Sequence, residues 1–392
     1  MKIGYLLHSP LPGPTTNAEQ AVNSLAALAD HPGIEVELCV PAAAGAAVPE
    51  GVREAEAARF YGLDPRVFGR RLHLRAMALP AWAAGNLGGL LFDLRVTGWV
   101  RRRGYDGLYV RDPLTLLRAL ATGLPVIFET YRTDINRSPW WGPFRRRAWS
   151  RPNLAGIIVH SRVAYQAFRD AGFGEDRLLL AYNGYAPNAG DAGITREEAR
   201  RRLGLESDRP IVCYAGGVGR HKGTDVLAEL AARVPEAQFL VVGATRDSDI
   251  APDWRRVGNL RILPRVAPAE VAAYLAAADI LIMPPTARPL EQSGRTVLPI
   301  KTFSYLAAGR PILAGDLPDV GEVLSNENAL LVPPDDLPAA AAALRRLLGD
   351  TALQNRLSAA AAASAREFTW AARAVRVAAF LRRRLSPDGG EG

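Results

Sequence analysis

Short apolar runs alternate with helix-patterned stretches along almost the whole chain, and the alternation stops once and then restarts. "KIGYLLH" and "EVELCVP" flank the amphipathic "NAEQAVNSLAALADH", with Asn17 placed as its N-cap. A basic, helical and less regular region follows. Then come "GLYVRD", "PVIFET", "GIIVHS" and "RLLLAYNG", each an apolar run closed by polar or turn residues. From Ala186 to Arg209 the chain is polar and carries a short charged helix but no strand. The alternation resumes with "PIVCYAG", "TDVLAELAARV", "AQFLVVGA", "LRILPRV", "PAEVAAYLAAA", "DILIMPP", "RPILAGD" and "ALLVPP". Alternating strands and helices build a parallel sheet covered on both faces. At 392 residues the chain exceeds one ordinary core. The expected fold class is therefore α/β, with two Rossmann-like, doubly wound parallel-sheet domains facing a central cleft.

The expected boundaries are an N-terminal domain over 1–185, a linker over 186–208 and a C-terminal domain over 209–365. A closing helix over 366–385 and a tail over 386–392 follow. No run of about 18 apolar residues suggests a membrane span. The N-terminus reads as a strand and a loop, not as a signal peptide. Cys39 and Cys213 sit in apolar strand-like runs, as buried free thiols of a reducing, cytoplasmic compartment would.

The net charge of +8 is uneven. Residues 59–151 hold 17 basic and 6 acidic side chains, including "GRRLHLR", "VRRRGYD" and "WWGPFRRRAW". Trp140, Trp141 and Phe144 beside Arg145, Arg146 and Arg147 suit an anionic membrane surface. Arginine-rich helix ends are the plainer reading. Nothing accompanies the charge that would mark nucleic-acid binding. Of 48 basic residues only Lys2, Lys222 and Lys301 are lysines, so each is a pointer to a place that needs a compact ammonium.

Lys222 lies in "YAGGVGRHKGTDVL", Tyr214 to Leu227, a glycine-rich loop between strand and helix. A redox-dinucleotide loop would need an acidic residue where "VVGATRD" places Gly243, Ala244 and Thr245. An ATP-type loop needs Gly-Lys-Ser/Thr, whereas the order here is Lys222-Gly223-Thr224. Glycines that merely allow tight strand–helix packing are a further reading. A lysine just before a helix start at Thr224-Asp225 suits a pyrophosphate, with free amides and the positive helix end assisting. Asp247-Ser248-Asp249 is formally a D-x-D, read as a solvated loop. Histidine and cysteine spacings suggest no zinc site, and no G-x-S-x-G elbow is present.

Taken in order, "YDGLYVRDP", "IIVHSRVAYQAFRDAGFGEDRLLLAYNGY", "VCYAGGVGRHKGTDVL", "NLRILPRVAPAEVAAYLAAADILIMPP" and "LPIKTFSYLAAGRPILAGDLPDVGEVL" resemble the retaining GT-B glycosyltransferases of family 4, the glycosyl transferases group 1. The resemblance implies a GT-B fold whose last helix crosses back to the first domain. It implies transfer of a sugar from a nucleoside-diphosphate donor to a hydroxyl acceptor with retention of configuration. The acceptor would be a saccharide, a lipid-linked species or a small molecule. No cofactor and no metal are expected, and neither is a nucleic-acid partner. A peripheral position on an anionic membrane is the expectation from residues 59–151. A sugar-nucleotide-binding protein with little activity and an epimerase on the same scaffold are the alternatives.

Residue by residue, the resemblance makes Lys222 the lysine that holds the donor diphosphate, beside Gly216 and Gly217. Gly217 stands where the family usually has arginine, and Arg220 is the expected substitute. The family's two glutamates, eight positions apart, are Thr296 and Ser304 here, so the usual ribose contact is absent. Lys301, at i−3 from Ser304, shares its helix face, with Thr302 beside it; Glu291 is the nearby carboxylate. Arg265 falls at the nucleotide-base position. In the first domain, Gly13 lies in the phosphate-facing loop, followed by Thr16 and Asn17. Glu129 and Tyr131 lie where many members carry a histidine near the transferred sugar. Stabilising the leaving diphosphate would be the main catalytic lever, through Lys222 and Arg220.

Overall fold

A computed structural model of the chain describes residues 1–13, 15–42, 50–68, 71–80, 85–185, 194–205, 209–292 and 298–386. It divides into two compact units, Met1–Asn183 with Trp370–Gly392, and Gly184–Thr369.

The first unit holds a seven-stranded parallel sheet. Its strands are β1 (Lys2–Leu6), β2 (Glu35–Pro41), β3 (Leu72–Met77), β4 (Gly107–Val110), β5 (Val126–Thr130), β6 (Leu154–Val159) and β7 (Leu178–Leu180). They lie in the order β3-β2-β1-β4-β5-β6-β7. Strands buried on both faces read as continuous apolar runs, which is why most were legible. The exception is β3, inside the region taken as helical. Its "LHLRAM" alternates: Leu72 and Leu74 are buried while His73 and Arg75 turn outward. It is the last strand on its side of the sheet, where one face meets water.

The helix Thr16–Ala29 begins earlier than the Asn17 cap would place it. Thr15 is the N-cap, and its hydroxyl accepts from the amide of Ala18 at 3.2 Å. The closing helix, Trp370–Leu385, starts four residues later than expected. It buries Val377, Phe380, Leu381 and Leu385 against the same core as the helix Thr16–Ala29. It also lies close to the sheet. A β-carbon on Gly156 of β6 would stand 2.6 Å from the Phe380 ring, so the strand tolerates no side chain there.

The second unit holds a six-stranded parallel sheet. Its strands are β8 (Ile211–Ala215), β9 (Gln238–Ala244), β10 (Leu260–Pro264), β11 (Ile280–Ile282), β12 (Ile312–Gly315) and β13 (Leu330–Val332). Their order is β10-β9-β8-β11-β12-β13. The described part of the expected linker is structured and belongs to this unit. The helix Arg196–Leu203 puts Ala199 into the core, and Arg196 and Arg200 bind Asp279 at 2.7 and 2.5 Å. In each sheet the order reverses once, between β1 and β4 and between β8 and β11. Open parallel sheets bind ligands outside the carboxyl ends of the strands at such switch points.

Candidate active site

The loop after β8 is held tightly by its own backbone. The amide of Gly216 donates to the carbonyl of Val242 at 2.9 Å, so the loop crosses the end of β9. Gly243, with φ +129°, lies directly under it; a β-carbon there would stand 2.0 Å from the Gly216 carbonyl oxygen. Gly219 donates to the Thr224 hydroxyl at 2.9 Å, and that hydroxyl donates back to the Gly219 carbonyl at 3.1 Å. Arg220–Lys222 form a single 3-10 turn, and the helix Asp225–Arg233 follows.

Much of the backbone at that helix start is already used. Lys222, Gly223 and Thr224 ahead of the helix, and Val226 and Leu227 in its first turn, donate to carbonyls of the loop itself. Asp225 adds a carboxylate at the helix start, bound by Arg288 at 2.5 Å. The positive charge at the loop comes from side chains instead. Lys222 is exposed and runs across Gly217, whose β-carbon position is 3.6 Å from Lys222 Cε.

Lys301 opens the short helix Lys301–Ala307 and comes in beside Gly216. Its ammonium donates to the Tyr214 hydroxyl at 2.7 Å and lies 4.0 Å from the centre of that ring. Tyr214 in turn donates to the Gly217 carbonyl at 2.7 Å. Tyr305, on the same short helix, accepts the amide of Ala215 at 2.8 Å and pins the helix to the end of β8. Burial, and then the neighbouring Lys222 ammonium, push Lys301 down to about 7. Among the described residues no carboxylate pairs with Lys222 or Lys301.

The other expected donor contacts fall out differently. Ser304 is partly exposed, one turn from Lys301. Thr302 is fully buried, and its hydroxyl faces the sulfur of Met283 at 3.7 Å, so it is a core residue and not a ligand contact. Thr296 lies outside the described residues. Glu291 is exposed within the helix Arg288–Gln292. Arg265 is exposed, and its amide donates to Ala244 at 2.8 Å, across from β9. Arg220 turns to Asp249 at 3.7 Å, an exposed pair that accounts for half of the D-x-D. Tyr214 and Arg288 were missed by sequence reasoning. A tyrosine ending an aliphatic strand just before two glycines was the available signal for Tyr214.

In the first unit Gly13 is buried and bracketed by Tyr61: its amide donates to the phenol at 3.1 Å and its carbonyl accepts at 2.8 Å. Thr16 and Asn17 lie in the first turn of the following helix. Tyr131 is 47% exposed, but Glu129 is only 3% exposed. Glu129 is not an open acid or base. It accepts from Tyr109, meets His160 Nε2 at 2.5 Å and Arg373 at 2.9 Å, and lies 3.8 Å from Arg111. Arg373 also donates to Ser24 at 2.6 Å, and Arg111 to Gln20 at 2.5 Å. Burial works against the Glu129 carboxylate, but Arg373, Arg111 and His160 outweigh it and hold its pKa well below the usual range. Burial chiefly, with the two guanidiniums, pushes His160 down to about 4. The cluster thus carries two guanidiniums, one carboxylate and a neutral imidazole.

The aromatic, basic segment is only partly outward. Trp140 is 93% exposed, and Arg146 and Arg147 are exposed. Trp141 instead donates to Asp134 at 3.1 Å and stacks edge-on with Phe144. Arg145 ties the carbonyls of Ile135 and Ser138 at 2.8 Å each. No described helix is long and apolar enough to cross a membrane.

Comparison with known proteins adds to this geometry. Residues 209–350 match the family described as Glycosyl transferases group 1. An alpha-D-kanosaminyltransferase from Streptomyces kanamyceticus is 28% identical over 180 residues, 43% of this chain and 44% of the relative. A D-inositol 3-phosphate glycosyltransferase from Xylanimonas cellulosilytica is 31% identical over 198 residues, 47% of this chain and 45% of the relative. The chain thus aligns with less than half the length of these two relatives. Among solved structures, Anabaena HepE in complex with UDP superimposes with a TM-score of 0.70 at 17% identity, covering 97% of this chain and 99% of that one. The fold is GT-B.

Proposed function

From a chain that carries the glycosyl transferases group 1 signature over residues 209–350 on a GT-B fold, we propose that it transfers a sugar from a nucleoside diphosphate to a hydroxyl acceptor, with retention and without a metal at the diphosphate. The observation that carries this is the pair Lys222 and Lys301. They flank Gly216–Gly217 beyond the end of β8, at the second sheet's switch point, and no described carboxylate neutralises them. Two ammoniums on one glycine loop match a leaving diphosphate, whose charge grows as the sugar departs. The complex of HepE with UDP makes UDP the first nucleotide to try. The acceptor belongs to the saccharide, lipid-linked or small-molecule glycoside classes.

Calorimetry with UDP, GDP, ADP, dTDP, NAD⁺ and NADP⁺, each in the presence of EDTA, tests the reading. Micromolar binding of one nucleoside diphosphate, lost in Lys222→Ala, is the expected result. Binding of NAD⁺ or NADP⁺ alone overturns it. Ser304 in place of a carboxylate favours one second reading, a protein that binds sugar nucleotides and turns them over slowly. Robust turnover with any donor and acceptor dismisses that reading.

A further inference from the structure

Three side chains meet at the other switch point, that of the first sheet, and the donor contacts described above include none of them. His8 follows β1, Asp112 follows β4, and Asp93 reaches in from the helix Gly85–Val100. One ligand atom of each lies within 4.8 Å of the other two. His8 Nδ1 faces Asp93 Oδ2 at 3.3 Å. Asp93 is 1% exposed, and its Oδ2 faces the imidazole as an ion pair once His8 is protonated, though neither atom meets hydrogen-bond geometry. A cation seated between the two atoms would take the place of that proton. A tetrahedral ion with bonds of about 2.0–2.1 Å sets its ligand atoms about 3.3 Å apart, the separation of His8 Nδ1 from Asp93 Oδ2.

The surroundings are built for this placement. The second oxygen of Asp93 accepts from the Thr115 hydroxyl at 2.8 Å. Asp112 Oδ1 accepts the amides of Leu114 and Thr115 at 2.9 and 3.2 Å. Such outer contacts orient carboxylate ligands. Gly89, one turn before Asp93 on the same helix face, makes room for the imidazole. A β-carbon there would lie 1.7 Å from His8 Nε2. Glycine inside a helix is costly, and here the ring needs the space. Among the described residues no lysine or arginine forms an ion pair with Asp93 or Asp112. His8 is 32% exposed at its side chain, which leaves a side open to water.

We infer that His8, Asp93 and Asp112 hold one first-row divalent cation, Zn²⁺ foremost, with a coordination position open to a further ligand. The mixed imidazole and carboxylate set suits such an ion better than Mg²⁺ or Ca²⁺. This site is built from residues of the first unit alone, and it stands whether or not the chain is a transferase.

The full chain, stripped with chelator and exchanged into metal-free buffer, is titrated with Zn²⁺ and, separately, with Co²⁺. One equivalent per chain, a Co²⁺ spectrum of a four-coordinate ion and a rise in the melting temperature are expected. Asp112→Asn and His8→Gln should each weaken uptake at least tenfold while melting cooperatively. No uptake by the wild-type chain, or uptake unchanged in both variants, overturns the site and leaves an ion pair. Uptake of Mg²⁺ in preference to Zn²⁺ overturns the choice of ion.

Discussion

Arg373 donates to Glu129 at 2.9 Å across 244 residues of sequence, and both side chains are buried. The pair joins the closing helix to β5. It belongs to a cluster with one more guanidinium than carboxylates, so its two halves are not equivalent.

Removing the carboxylate leaves Arg111 and Arg373 buried without a counter-charge. Removing Arg373 leaves Glu129 with Arg111, His160 and Tyr109. Glu129→Ala should cost about 3–5 kcal/mol, the range for an orphaned buried charge, and Arg373→Met clearly less. Urea unfolding followed by tryptophan fluorescence checks the order; equal losses would refute the asymmetry.

The same cluster predicts an acid limb. An imidazole at about 4 in the folded chain and near 6.5 when unfolded means that the unfolded state binds the extra proton between those values. Stability therefore falls as pH drops from about 6.5 to 4, by roughly 3 kcal/mol. Glu129, held low, adds stability that is present above its unfolded value near 4.3 and lost as the pH falls further. His160→Gln should flatten the upper part of the curve and keep the lower part. Melting temperatures across the pH series read this directly.

Lys301 gives a second pH dependence, in binding. With its ammonium losing a proton near 7, nucleoside diphosphate affinity should fall between pH 6.5 and 8.5. Lys301→Met should remove that slope and weaken binding by roughly tenfold to a hundredfold, as for a lost charge-assisted contact. In stability the sign is opposite. Above about 7 the folded lysine is neutral while the unfolded one stays charged, so folding strengthens with pH until about 10.4. An affinity that holds constant across pH in the wild-type chain would remove Lys301 from the site.

Arg220 and Lys222 separate by partner. Arg220 is paired with Asp249 on the surface, an arrangement worth about 0–1 kcal/mol. Arg220→Ala should leave stability nearly unchanged and reduce diphosphate affinity much less than Lys222→Ala. Calorimetry on the two variants decides; equal losses would return Arg220 to the site.

We propose that Trp140, with Arg146 and Arg147, touches anionic membrane. Co-sedimentation with vesicles of anionic lipid should fall by half or more in Trp140→Ala and at raised salt. Equal recovery on neutral vesicles would remove the electrostatic part.

Much of the architecture was readable because buried parallel strands are written as uninterrupted apolar runs, as in "PVIFET" and "AQFLVVGA". β3 was not, because an outer strand with His73 and Arg75 turned to one side reads as a basic, irregular stretch. Lys222 and Lys301 stood out as rare lysines, but the tyrosine between them did not, since Tyr214 looks like any strand aromatic until Lys301 is set on its ring. Glu129 was visible as a carboxylate at a strand end. Its role was not, because Arg373, Arg111 and His160 come from distant parts of the sequence and only the fold gathers them. His8, Asp93 and Asp112 escaped for the same reason: no local spacing rule links two strand exits to the middle of a helix.

The closing helix has a bearing on how the protein is made. Translation delivers β1 to β7 first, then the whole of Gly184–Thr369, and only then the segment that covers Ile3, Leu25 and Gly156. Until that segment arrives, the first unit's sheet is bare along one strip. That strip is where chaperones would be expected to engage the nascent chain, until Phe380 arrives.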